Sequence, residues 1–432
     1  ALISKTHPSD RLQSSWPRLV DLETLKTQDL KEGWRGWHNG LALSPSGRRL
    51  AAQQTERPES QALGERRVVV YEEGKARVLG RTWDRWPVPM CFLDERRLVV
   101  SFHEEGEIRL AVLDVEEDRR KSIEGAGSAD AVRSVGRRVV GIGQALGQPP
   151  RLVAIHTDSK TRAWLPDLSG WTDAETRDWR VERLRVEATD GATVDTRLVL
   201  PPGDGPHPTL LWIHGGPINQ FGNVWHWRWN PLVMLRAGYA VALPNARGST
   251  GYGYEYAAGI WGNKWGAQCY ADLMQVADVL DARSDLDSRR MVAMGGSFGG
   301  YMTNWIGGQT DRFAALVTHA GLFDFRAFYG TTDHPAYWAL HQQATPWEGD
   351  IDRYSPHAHV GAWKSPTLIL HGEKDYRVPI GEALALFEAL QAHGIDSELV
   401  VFPDENHWIL KPRNIRVWYE TVLRFLDERL QP

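Results

Sequence analysis

The sequence predicts an all-β region followed by an α/β domain, on three observations. A strand motif repeats through the first part of the chain. Short apolar strands then alternate with amphipathic helices, and a glycine-rich strand–turn–helix junction surrounds Ser297. At 432 residues the chain exceeds one ordinary core. The reading places the boundary between 1–179 and 180–432.

The repeat comes first. Gly47-Arg48-Arg49-Leu50-Ala51 recurs as Glu95-Arg96-Arg97-Leu98-Val99 and as Gly136-Arg137-Arg138-Val139-Val140, at intervals of 48 and 41 positions. A second β-branched run follows each one: Arg67 to Val70, Arg109 to Val112 and Arg151 to Ala154. A β-rich period of about 40–50 residues is that of propeller blades, one four-stranded sheet each. An ordinary sandwich with recurrent Arg-Arg turns is the alternative. Pro17-Arg18-Leu19-Val20 matches Pro150-Arg151-Leu152-Val153, the late strand of a blade. The chain is therefore expected to begin inside a repeat and to hold about three blades plus a remnant. The chain is expected to be the C-terminal part of a longer polypeptide, or to have its partial propeller completed by another segment, since an unclosed one exposes sheet edges; a homo-oligomer or a missing N-terminal segment is the expected partner.

Beyond Trp179 the pattern changes. Val181 to Leu200 reads as a hairpin turning at Asp190-Gly191. Thr209 to Ile213, Tyr239 to Leu243, Met291 to Met294, Ala314 to Thr318, Thr367 to Leu370 and Leu399 to Phe402 are brief apolar runs suited to buried parallel strands. Ala267 to Arg283, Ile380 to His393 and Asn414 to Leu430 have helical periodicity.

Composition narrows the function class. The formal charge of −5 leaves no basic footprint for nucleic acid. No apolar run reaches the roughly 18 residues of a membrane span, and no signal-peptide core opens the chain. The cytoplasm is the expected compartment. Cys91 and Cys269 make no disulfide framework and no metal motif, and Cys269 reads as a core residue. His357 and His359 form a His-x-His without acidic partners nearby in sequence and read as a solvated loop. No metal or organic cofactor is implied.

Gly295-Gly296-Ser297-Phe298-Gly299 follows a predicted strand and opens a predicted helix, which is the nucleophile elbow of an α/β-hydrolase. A serine hydroxyl needs a base, and the base an orienting carboxylate. In this fold the order is Ser…Asp…His. Asp375 lies just past one predicted strand and His407 just past another. Glu373, two residues from Asp375, is the rival carboxylate. Two oxyanion donors are expected: the N–H of Phe298 and, from His214-Gly215-Gly216-Pro217, that of Gly216.

These residues resemble the prolyl oligopeptidase family of serine peptidases. The resemblance rests on His214 to Pro217, on Pro244-Asn245-Ala246-Arg247-Gly248-Ser249-Thr250-Gly251-Tyr252-Gly253, on the elbow through Thr303, on His371-Gly372 through Pro379, and on Phe402 to Trp408. The acylaminoacyl peptidase and bacterial dipeptidyl peptidase branch is the most similar. The resemblance implies a propeller ahead of the hydrolase domain and a short peptide or acyl-peptide substrate. It gives Ser297 the role of nucleophile, Asp375 that of orienting acid and His407 that of base. It further implies that Arg377 binds a substrate carbonyl. Phe325, Tyr329, Tyr337 and Trp338, together with Val378, are implied to contact substrate. Three departures stand out. Phe298 replaces a commoner tyrosine, Ala246 a usual aromatic, and no tyrosine follows His214-Gly215-Gly216. An esterase or amidase is the alternative activity, and a non-catalytic propeller interaction protein a more distant one.

Overall fold

The computed structural model describes residues 2–5, 14–30, 36–56, 63–125, 127–136, 138–159, 161–166, 170 and 178–430. The chain divides into two compact units. The first comprises Ala1–Glu175 with Gly222–Trp225 and Thr250–Glu255, and the second comprises Thr176–Phe221, His226–Ser249 and Tyr256–Pro432. A single cut at 179/180 does not anticipate the two short excursions. Within the first unit, Asn223 Oδ1 accepts the Leu146 N–H, and the Tyr254 hydroxyl donates to the Leu63 carbonyl.

The first unit consists of consecutive antiparallel meanders. Three have four strands each: Gly36–Leu43 to Lys75–Leu79, Val88–Phe92 to Arg119–Ser122, and Ser128–Val135 to Arg162–Trp164. The Arg-Arg motif sits at the start of the second strand in each sheet, Arg49–Glu56, Arg97–Glu104 and Arg138–Ala145. The runs that follow it are buried because neighbouring sheets cover both faces. Ala51 and Val68 pack with Leu98 and Val100, whereas Val99 and Leu110 pack with Val139 and Val153. The opening sheet has three strands, Leu2–Lys5, Ser15–Val20 and Thr27–Asp29. Ser15–Val20 leads into the last strand of its sheet as Gln148–His156 leads into Arg162–Trp164, which is the relation read from the Pro-Arg-Leu-Val match.

The second unit is built on an eight-stranded sheet. In spatial order its strands are Arg180–Glu187, Thr193–Leu200, Ala240–Asn245, His207–Ile213, Leu286–Gly296, Ala315–His319, Thr367–Gly372 and Ser397–Phe402. The second strand runs antiparallel to both its neighbours, and the remaining pairs are parallel. Helices cover the sheet through apolar stripes. On Gln268–Asp281 the buried positions Cys269, Leu273, Val276 and Leu280 recur at helical spacing. Pro412–Arg429 does the same with Trp418, Val422, Phe425 and Leu426. Both cysteines are free and buried.

Register is what positions the site. Ile213 pairs with Gly295, Gly296 with His319, His319 with Leu370, and Gly372 with Phe402. Five adjacent strands therefore end at one level. The loops that leave this edge carry Gly216, Ser297, Asp375 and His407, at the carboxyl ends where open α/β sheets gather their ligands.

Candidate active site

Ser297 terminates the buried strand Leu286–Gly296 and precedes the helix Phe298–Gly307. Its backbone lies at φ 59° and ψ −120°, a conformation that costs a non-glycine residue of order 1–3 kcal/mol. The flanking glycines make the turn possible. A Cβ on Gly299 would collide with the Ile213 carbonyl oxygen, and one on Gly300 would lie 2.6 Å from the His319 carbonyl oxygen. Two hydrogen bonds hold the turn: Ser297 N–H to His319 O, 2.9 Å, and Tyr301 N–H to Ser297 O, 2.8 Å. The strain thus exposes the hydroxyl at a helix N-terminus, whose first N–H groups have no intrahelical acceptor. Phe298 is the first residue of that helix.

His407 and Asp375 meet directly. Asp375 is 2 % exposed, and His407 Nδ1 lies 2.6 Å from its Oδ2. The other carboxylate oxygen, Oδ1, accepts the N–H groups of Arg377 and Val378, both at 2.9 Å. Burial pushes the Asp375 carboxyl up. Hydrogen bonds and charge from His371 and His407 outweigh that and hold it well below the usual carboxylate range. Glu373, by contrast, is exposed. The Ser297 hydroxyl has no hydrogen-bond partner among the described residues; a nucleophile–base bond often tightens only around substrate.

Two further histidines, to which the sequence assigns no role, belong to this framework. His371 lies in the buried strand Thr367–Gly372, and its Nε2 is 2.7 Å from Val378 O and 3.5 Å from Asp375 Oδ2. His319, 1 % exposed, accepts from Trp418 Nε1 at 3.3 Å and stands edge-on to Trp229. Burial, reinforced by the charges of His371 and His407, lowers its pKa to about 3, so it is neutral at working pH. A polar residue closing an apolar parallel strand is the signal that marks both.

The expected oxyanion loop reaches the elbow. A Cβ on Gly215 would lie 2.8 Å from Gly296 O and 3.3 Å from Ser297 Cβ, so the close approach is made one residue before Gly216. Gly216 itself, at φ 139°, adopts a backbone that disfavours a side chain. His214 stiffens the loop through Gly215 O and Ser249 Oγ, both at 2.9 Å.

A small apolar pocket lies behind the loop that follows His319. Phe325, Tyr329 and Trp338 line it, together with Leu322, Phe328 and Ile351. Phe328 stands one helical turn from Phe325, a spacing that could have found it. Tyr337 and Val378 require correction. Tyr337 stands edge-on to Trp338, ring centres 4.9 Å apart, and is not among the residues that line the pocket. Val378 is 1 % exposed, and its backbone serves the Asp375–His371 cluster instead. The cavity wall is tied in place by Glu382, whose Oε2 accepts the N–H groups of Phe323 and Asp324 at 2.7 and 2.9 Å.

Arg377 has a carboxylate partner that local sequence does not reveal. Its Nε and Nη2 donate to Asp333 at 2.7 and 3.2 Å, which leaves Nη1 without an acceptor among the described residues. No group of three or more potential metal ligands converges among the described residues. His357 bonds Ser355, and His359 packs edge-on to Trp305.

Comparison with known proteins adds a family to this geometry. Residues 225–432 match the prolyl oligopeptidase family. A probable dipeptidyl-peptidase 5 from Emericella nidulans is 32% identical over 433 residues, covering 92% of this chain and 57% of its own length. The dipeptidyl-peptidase 5 of Schizosaccharomyces pombe is 38% identical over 255 residues, 57% of this chain and 37% of the relative. The chain thus spans about half or less of the curated relatives it matches. Among solved structures, the acylaminoacyl peptidase of Pyrococcus horikoshii superposes with a TM-score of 0.84 at 19% identity, over 99% of this chain and 70% of that one. A puromycin-hydrolysing peptidase of Mycobacterium tuberculosis gives 0.79 at 22%, over 99% and 67%. These likenesses establish the fold, blades followed by an α/β-hydrolase domain.

Proposed function

We propose that the chain, whose residues 225–432 match the prolyl oligopeptidase family, is a serine peptidase that cleaves short peptides through an acyl-enzyme on Ser297. The observation that carries this reading is the 2.6 Å contact between His407 Nδ1 and the buried Asp375, at the sheet edge where the strained Ser297 is presented. Asp375 fixes the imidazole so that Nε2 faces outward as base. His407 takes the hydroxyl proton as Ser297 attacks the carbonyl. The developing oxyanion rests on the N–H groups of Phe298 and Gly216. His407 then protonates the leaving amine, and water releases the acyl fragment. In this reading Arg377 Nη1 holds a substrate carbonyl, and the pocket lined by Phe325, Phe328 and Trp338 takes an apolar side chain before the scissile bond.

Release of dipeptides is the favoured specificity, because relatives 31% to 38% identical carry the name dipeptidyl-peptidase 5. A panel of dipeptidyl-, aminoacyl- and N-acetyl-aminoacyl-anilides beside simple aryl esters tests it. The dipeptidyl anilides with an apolar second residue should give the highest kcat/KM. Turnover confined to aryl esters would replace the peptidase by an esterase.

A further inference from the structure

Arg228 is a half-buried cation without a counter-charge. Among the described residues its side chain makes no ion pair and no hydrogen bond, and its Nε is shielded from solvent without an acceptor. What surrounds it is aromatic. The guanidinium lies 3.8 Å from the ring centre of Trp408 and 5.2 Å from that of Trp229. The imidazole of His226 stacks on Trp229 and is itself neutral, burial and the nearby Arg228 charge having lowered its pKa to about 4. Taking a guanidinium partly out of water is costly unless an anion meets it. Cation–π contact offsets part of that cost, but it occupies the faces and leaves the N–H edge unused. Such an edge fits one ligand class best, a carboxylate bound in a planar fork.

Position says which carboxylate. Trp408 follows His407, and their rings are 4.9 Å apart. Trp229 packs against the elbow, where a Cβ on Gly296 would lie 2.5 Å from its ring. Arg228 and the imidazole that delivers a proton to the departing amine thus share one neighbour, Trp408. A group held there travels with the leaving fragment and not with the acyl half.

We propose that Arg228 is a specificity residue that binds the C-terminal carboxylate of the leaving fragment, so that the enzyme favours peptides ending one to three residues beyond the cleaved bond. The inference rests on the peptidase reading of Ser297 and His407. A longer peptide would bring a neutral amide to the guanidinium in place of the anion. A C-terminal amide would lose the charge-assisted bonds in the same way, a difference of roughly ten- to a hundredfold in kcat/KM.

The test uses matched peptides with leaving fragments of one, two and three residues, each as free acid and as C-terminal amide. The readout is the acid-to-amide ratio of kcat/KM, taken within each enzyme so that a general change in activity cancels. The wild type should prefer the acid at least tenfold at one of these lengths, and Arg228→Gln should bring that ratio to about one. Arg228→Lys, which keeps the charge but not the fork, should fall between. As a check that needs no variant, the free leaving fragment should inhibit wild-type anilide hydrolysis more strongly than its amide. A wild-type ratio near one at every length, or a ratio unchanged in Arg228→Gln, overturns the role of Arg228 alone. Absence of cleavage of every peptide, with fluorophosphonate labelling intact, overturns the peptidase reading and this inference with it.

Discussion

Glu382→Gln separates the architecture of the cavity wall from its charge. Glu382 is 2 % exposed, and its Oε2 accepts the N–H groups of Phe323 and Asp324 just before the helix Phe325–Thr331. Burial pushes its carboxyl up to about 7 from 4.5, Asp324 adding to the effect and the two N–H groups opposing it. Below about pH 4.5 the side chain is protonated in folded and unfolded chains alike. Between 4.5 and 7 the folded state keeps a proton that the unfolded state has lost, so stability declines as pH rises through that window and levels off above it. The full difference is about 3 kcal/mol. Glutamine retains a carbonyl oxygen for both N–H groups but does not titrate. Urea-denaturation midpoints followed by tryptophan fluorescence from pH 5 to 8 should converge for the two proteins at the acid end. At pH 8 the variant should be the more stable, by up to that amount. A pH-independent offset, or a variant less stable at pH 8, would refute the reasoning. Glu382→Ala, which strands two buried donors, should instead destabilise at all pH values, by about 2–4 kcal/mol.

Other substitutions probe the remaining parts of the site. Ser297→Ala should lower turnover by about 10⁴–10⁶ while leaving the circular-dichroism spectrum unchanged. Asp375→Asn should cost about 10³–10⁴ in kcat with little change in KM, because the amide no longer fixes the imidazole tautomer; a loss confined to KM would argue against an orienting role. Gly215→Ala places a methyl 2.8 Å from Gly296 O, and the displaced oxyanion loop should reduce kcat by at least about 10² in a folded protein. Trp338→Ala, at the cavity wall, should destabilise by about 3–5 kcal/mol and weaken discrimination between large and small apolar side chains in the anilide panel.

The parts of the fold that sequence reveals are those written locally. Strands buried on both faces show as unbroken apolar runs, and the helices show by period. The elbow is legible because so tight a turn leaves room only for glycine around Ser297. The Arg-Arg motif betrays the blades because each repeat places it at the start of the same strand. What stays hidden is non-local. Arg377 finds Asp333 across 44 positions, and Glu382 finds two backbone N–H groups 58 and 59 positions away, donors that have no residue signature. Val378 departs from the substrate contact that the resemblance implies, because a turn this close to a buried carboxylate spends its backbone on that carboxylate. Tyr337 and Trp338 are neighbours on one helix, and consecutive helical residues face different ways, so only one of the two meets the cavity.

The central claim is that Ser297 is a nucleophile activated by His407. Peptide mapping by mass spectrometry after reaction with a fluorophosphonate tests it most directly. A single adduct should appear on Ser297, its formation slowed by at least about 10³ in His407→Gln. No adduct, an adduct on another residue, or equal labelling in His407→Gln would contradict the account.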